Sequence, residues 1–82
     1  MTVSAQIAIY PLRQERLTPA IDAVRAALTA RGLAPEMGPM STTVTGEADT
    51  VFAALREAFE RAAAAGHVVM TVTVSNACPI AA

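Results

Sequence analysis

Between Val3 and Tyr10 the chain alternates Val3, Ala5, Ile7 and Ile9 with Ser4, Gln6, Ala8 and Tyr10. Apolar side chains on every second residue describe a strand with one buried face, because successive side chains of an extended backbone point to opposite sides. The same period returns near the end of the chain, where Val68, Met70, Val72 and Val74 alternate with Val69, Thr71, Thr73 and Ser75. A third run, rich in β-branched residues, sets Met40, Thr42 and Val44 against Ser41, Thr43 and Thr45. Between these runs the spacing changes to that of helices, and the order of elements follows.

Leu17, Ile21, Val24 and Leu28 recur at helical spacing and predict one buried stripe. Thr18 reads as the N-cap of that helix, with Pro19 at the first helical position and Asp22 in the first turn. Arg31 followed by Gly32 reads as its end: a cation on the last carbonyls, then a residue free to turn left-handed. The short segment from Leu33 to Met37 is interrupted by Pro35, which restricts it to a sheet edge. Gly38-Pro39 is a tight turn. Gly46-Glu47-Ala48-Asp49 opens a second helix with two acids at its positive end. Its expected buried stripe is Phe52, Leu55, Phe59 and Ala62, with Arg56/Glu60 and Glu57/Arg61 paired on the wet side. Gly66 closes it.

The order is therefore β-α-β-β-α-β. Right-handed crossovers place both helices on one face of a four-stranded antiparallel sheet, an α+β sandwich of ferredoxin-like type with the first and third strands central. At 82 residues, the length prior makes residues 1–82 a single domain. Alanine supplies much of the apolar content, with two Phe, one Tyr and no Trp, so the core should be thin. A thin core makes association with a further copy a natural source of stability.

The sheet face turned away from the helices is expected to carry Ser4, Gln6, Tyr10, Ser41, Thr43, Thr45, Thr71, Thr73 and Ser75. It is uncharged, whereas a face left in water usually carries Lys and Glu as well. That pattern suits a surface covered by another subunit or by a ligand. The last strand is a long, uncharged edge, a pairing hazard that joining the same edge of a second subunit would remove. A homodimer or homotetramer is the expected assembly.

Charge and composition narrow the function further. The six basic residues are all Arg, scattered among seven acids for a net charge of −1. Nucleic acid requires a concentrated positive patch, and membrane surfaces a basic amphipathic face; neither is expected as a partner. No apolar run approaches the about 18 residues of a spanning helix, and no signal peptide opens the chain. The single cysteine, Cys78, cannot form an internal disulfide, so the cytoplasm is the expected location.

A metal would need three or four converging ligands, and the chain offers one His, one Cys and scattered acids. His67, just after Gly66, reads as a cation at a helix end. Cys78 lies far along the strand from His67 and has no base within one chain to activate it. Glycine-rich phosphate loops are absent, and no cofactor is implied. A binding protein, not an enzyme, is the expectation. The runs Met40-Ser41-Thr42-Thr43 and Ser75-Asn76-Ala77-Cys78-Pro79 begin or end strands read as neighbours, so their hydroxyls and the Asn76 amide are expected to meet in one pocket. An amide can both donate to and accept from the edge of an aminopyrimidine. Strand propensity explains the hydroxyls equally well, and a turn position explains Asn76. A ligand-free regulatory or structural oligomer is therefore the alternative reading.

Ile9-Tyr10-Pro11-Leu12, Gly38-Pro39-Met40-Ser41-Thr42, Gly46-Glu47 with Val51-Phe52, and Val68-Val69-Met70-Thr71 leading to Ser75-Asn76-Ala77-Cys78-Pro79 together resemble the thiamine-binding protein family. These pieces span nearly the whole chain in order, and the last is the most specific. The resemblance implies a ferredoxin-like domain that binds thiamine or hydroxymethylpyrimidine without turnover, as carrier or sensor. It also implies that two copies work together, so that a second subunit supplies the other copy here. On that reading Gln6, Ser41, Thr42, Thr43, Ser75 and Asn76 address the pyrimidine. Met40 belongs to the same binding run, Tyr10 stacks on a ring, and Glu47 opposes the thiazolium charge.

Overall fold

A computed structural model describes residues 1–13, 16–64 and 66–77. Six elements follow one another: β1 (Thr2–Pro11), α1 (Thr18–Ala30), β2 (Glu36–Met37), β3 (Thr42–Glu47), α2 (Ala48–Ala63) and β4 (Val68–Ser75). The strands form one antiparallel sheet in the order β2-β3-β1-β4, with β1 and β3 central. This is the ferredoxin-like α+β arrangement that the alternation implies.

Register decides which side chains share a face, because residues directly opposite across antiparallel strands point the same way. Ala5 stands opposite Val44 on one side and Val74 on the other; Ile7 stands between Thr42 and Val72. These rows face the helices. Ser4 lies between Thr45 and Ser75, and Gln6 between Thr43 and Thr73, on the open face. Ser4 Oγ and Thr45 Oγ1 share a hydrogen bond of 3.0 Å there. The open face is not wholly uncharged as expected, since Glu36 pairs opposite Thr43 and so joins it. Val69, opposite Tyr10, adds an apolar residue to the same side.

Helix α1 begins one residue earlier than its sequence suggests. Leu17 is the N-cap and makes no side-chain cap bond, Thr18 is already helical, and no acid lies in the first turn, which excludes Asp22. Leu17 is exposed, and the buried residues are Ala20, Val24, Ala27 and Leu28. At the far end Gly32 turns left-handed as expected, but Arg31 is the C-cap and its guanidinium pairs with Glu57 at 3.6 Å instead of sitting on the last carbonyls. Gly32, at φ +78°, donates its N–H to the Thr29 carbonyl, and Leu33 donates to Leu28. This double closure swings Leu33 back into the core beside Leu28. Leu33 then lies over Gly46, where a Cβ would come within 2.7 Å of its Cδ2. Gly46 and Glu47 accordingly finish β3, and α2 starts only at Ala48.

In α2 the expected stripe is turned by about one residue. Val51, Ala54, Leu55, Ala58 and Ala62 are buried, whereas Phe52 and Phe59 remain 54% and 42% exposed. Alanines at 54 and 58 let the helix sit close against its neighbours, and a phenyl ring in their layer would force it away. Glu57 reaches Arg31 at the end of α1 (3.6 Å) and Arg61 (3.2 Å), which marks the flank facing α1. At 100° per residue the two phenylalanines fall on the opposite flank, towards β4. Val72 and Val74 of β4, expected beneath the helices, each stay 36% exposed. An apolar strip thus runs along the β4 edge. The other helix pair, Arg56/Glu60, forms at 3.6 Å. β2 is reduced to two residues after Pro35, an edge strand as expected.

Candidate functional site

The ladder between β1 and β3 ends at the Ile7–Thr42 pair, while β1 continues to Pro11 beside β4. Past Ile7, the β3 side of β1 therefore has no strand along it. The start of α1 and the turn from Gly38 to Ser41 close around this gap, the turn being tied by the Gly38 N–H donating to the Ser41 carbonyl at 2.8 Å. The result is a crevice of about 260 Å³ lined by Ile7, Ala8, Ile9 and Tyr10 of β1, Leu17 and Ile21 of α1, and Gly38–Thr42. Its walls are mostly apolar, and none of these residues carries a charge.

Four of the residues singled out from sequence line it: Tyr10, Met40, Ser41 and Thr42. Met40 is 81% exposed at the rim, and Tyr10 is about half exposed. Thr42 is buried, and its hydroxyl donates to Met37 Sδ at 3.3 Å, a bond that fixes the edge strand. Ser41 Oγ accepts a hydrogen bond of 3.3 Å from Gln6 Nε2. Gln6 itself lies on the open sheet face, outside the crevice, beside Thr43.

Glu47, Ser75 and Asn76 lie elsewhere. β1 separates β3 from β4, so the runs expected on neighbouring strands flank it on opposite sides. Ser75 pairs opposite Ser4, and Glu47 opposite Thr2. From Ile7, the crevice residue nearest that end, Ser4 is three residues away and Thr2 five, so the gap is on the order of 10–16 Å along the strand at about 3.3 Å per residue. At that end the Glu47 carboxylate holds the Met1 amine at 3.0 Å, and Asn76 Nδ2 reaches Met1 Sδ at 3.5 Å. Ser75 Oγ accepts from the Ala77 N–H at 3.0 Å and turns the chain at the end of β4. Cys78 and Pro79 lie outside the described residues.

Sequence reasoning missed Ile7, Ala8, Ile9, Leu17, Ile21, Gly38 and Pro39 as lining residues. Gly38-Pro39 was visible as a turn next to the Met40–Thr43 run. Leu17 and Ile21 carry an ordinary core pattern, and only the early end of β3 converts them into a wall. The His67 carbonyl accepts from the Leu12 N–H at 2.8 Å, linking the end of β1 to the start of β4. Among the described residues, no three of His, Cys, Asp or Glu converge, and no helix is long and apolar enough to cross a membrane.

Residues 5–76 match the thiamine-binding protein family. The chain belongs to that family. No curated protein matches it. Among solved structures, a Streptococcus pneumoniae protein superposes with a TM-score of 0.84 at 29% identity, over 98% of this chain and 90% of that one. A Thermotoga maritima protein proposed to act in thiamine biosynthesis or salvage gives 0.79 at 24%, over 90% and 82%. A domain of unknown function from Bacillus cereus gives 0.79 at 20%, over 92% and 75%. The last two identities speak for the fold alone. The matched stretch of the family includes the whole crevice.

Proposed function

We propose that this chain is a cytoplasmic binding protein for a thiamine-related molecule, taking its pyrimidine ring in the crevice beside Ser41 and acting as carrier or sensor. The observation that carries the reading is the gathering of Tyr10, Met40 and Ser41 around one apolar cavity in a thiamine-binding family member. The fold shared with a protein proposed to act in thiamine salvage is consistent with it. At about 260 Å³ the cavity suits one ring better than two, falling just under the about 300 Å³ at which drug-sized clefts begin. Hydroxymethylpyrimidine, uncharged and single-ringed, matches these uncharged walls better than the thiazolium cation does. Calorimetry with hydroxymethylpyrimidine and with thiamine should give saturable heat, stronger for the former. Silence with both at millimolar concentration sinks the proposal.

The β4 edge supports the companion proposal of a homodimer, or a homotetramer if the open faces also meet. Its eight residues carry no charge and no proline, and Phe52, Phe59, Val72 and Val74 extend the strip. Antiparallel pairing of β4 with itself centred on Val72 sets Val72 against Val72 and Thr71 against Thr73, which suits a twofold axis. Sedimentation should find a dimer or larger at micromolar concentration and a monomer for Val72→Lys. A monomeric wild type ends this part. The alternative of a ligand-free structural oligomer predicts intact assembly together with empty ligand titrations.

A further inference from the structure

We propose that Gln6, although outside the crevice, sets the direction of the Ser41 hydroxyl and so makes the site selective for a ring that presents a hydrogen-bond acceptor. This rests on the crevice being the binding site.

The argument starts from the inventory of a hydroxyl: one O–H to give and two lone pairs to receive. Gln6 Nε2 donates to Ser41 Oγ at 3.3 Å, which occupies a lone pair and leaves the hydrogen free to turn elsewhere. Ser41 lines the crevice while Gln6 does not, so that hydrogen is available to a ligand seated there. Of the other lining hydroxyls, that of Thr42 donates to Met37 Sδ at 3.3 Å and is turned away from the cavity. Ser41 is thus the lining side chain whose partner fixes its polarity towards a ligand, and it offers a donor. A pyrimidine nitrogen accepts such a hydrogen, and a C–H in its place does not. A buried donor left without its acceptor weakens binding by about three- to tenfold, the worth of one hydrogen bond.

Gln6 is exposed, on the open face between Thr43 and Thr73, so its replacement should leave the fold intact. The test is calorimetry with two probes: aminated hydroxymethylpyrimidine, and its benzene analogue with both ring nitrogens replaced by C–H. Wild type is expected to favour the pyrimidine by about three- to tenfold. In Gln6→Glu the carboxylate only accepts, draws the Ser41 hydrogen to itself, and removes or inverts that preference. Gln6→Lys differs in shape and charge but still only donates, and should retain it. Titration well above neutral pH keeps the aminopyrimidine ring unprotonated, so the ratio isolates hydrogen-bond direction from the altered charge. Ser41→Ala should abolish the preference in every background. Equal preference in wild type and Gln6→Glu overturns this inference while leaving the crevice as the site. A wild type that binds neither probe overturns the binding reading, and this inference with it.

Discussion

The two ends of the sheet are built from similar residues and do different things. At one end β3 stops short of β1, and the gap is closed by a turn and a helix start, leaving a cavity with a rim of Tyr10, Met40 and Ser41. At the other end β3 runs to its full length against Thr2, and every polar side chain singled out there has a partner in the chain itself. Glu47 holds the Met1 amine, Asn76 meets Met1 Sδ, and Ser75 takes the Ala77 N–H. Hydroxyls and amides at a strand end thus become a candidate site only where the ladder leaves room beside them. Residue type is shared by both ends; vacancy is not.

The largest expected effect sharpens this contrast on the filled side. Gly46 lies in the full-length part of β3, and a Cβ there would meet Leu33 Cδ2 at 2.7 Å and Val51 Cγ2 at 3.5 Å. Cδ2 is a side-chain end, but Leu33 is buried in the core with Leu28 and Val51, so turning it aside displaces packed neighbours. Gly46→Val should therefore destabilise the protein by about 1–3 kcal/mol, the usual cost of overpacking. Chemical denaturation should show a lower midpoint with an unchanged slope, and pyrimidine affinity below the transition should stay within about twofold of wild type. A variant as stable as wild type would mean that this end is looser than the close approach implies.

How much of this was legible beforehand differs between fold and site. Period-two alternation located β1 and β4, since a strand shifted by one residue would turn every side chain to the wrong face, and the element order with right-handed crossovers placed β1 and β3 at the centre. Helix faces were less secure. In α2, Val51-Leu55-Ala58-Ala62 and Phe52-Leu55-Phe59-Ala62 are both acceptable helical stripes, and hydrophobicity favours the one with two rings. Packing chooses the other, because alanines permit close approach and the flank towards β4 is left uncovered. Leu17 was misjudged for a related reason: a periodic apolar residue reads as core whether it meets a neighbour or a cavity. For the site, the sequence named the chemistry of both strand ends but not the distance between them. The ferredoxin-like order, with the first and third strands central, already puts β1 between β3 and β4 and so opposes the expectation of one pocket; where the β1–β3 ladder ends was not legible.

The smallest expected effect is the most direct challenge to the contrast. Ser41→Ala removes a hydroxyl from the crevice wall and should weaken pyrimidine binding by about three- to tenfold, the worth of one hydrogen bond. Asn76→Ala removes an exposed amide whose contact in the chain is a weak one to a thioether, and should change affinity by less than about twofold. Calorimetry of the two variants side by side reads the difference directly. Equal losses would mean that Asn76 reaches a ligand after all. Because β1 and about 16 Å of strand (five residues at about 3.3 Å each) separate it from Ser41 within one chain, the amide would then have to come from a second copy. Equal losses would thus move the site from a cavity within one chain to one completed between two, and would make β4 pairing part of binding. Retained affinity in Asn76→Ala leaves the far end of the sheet as a closure of the fold.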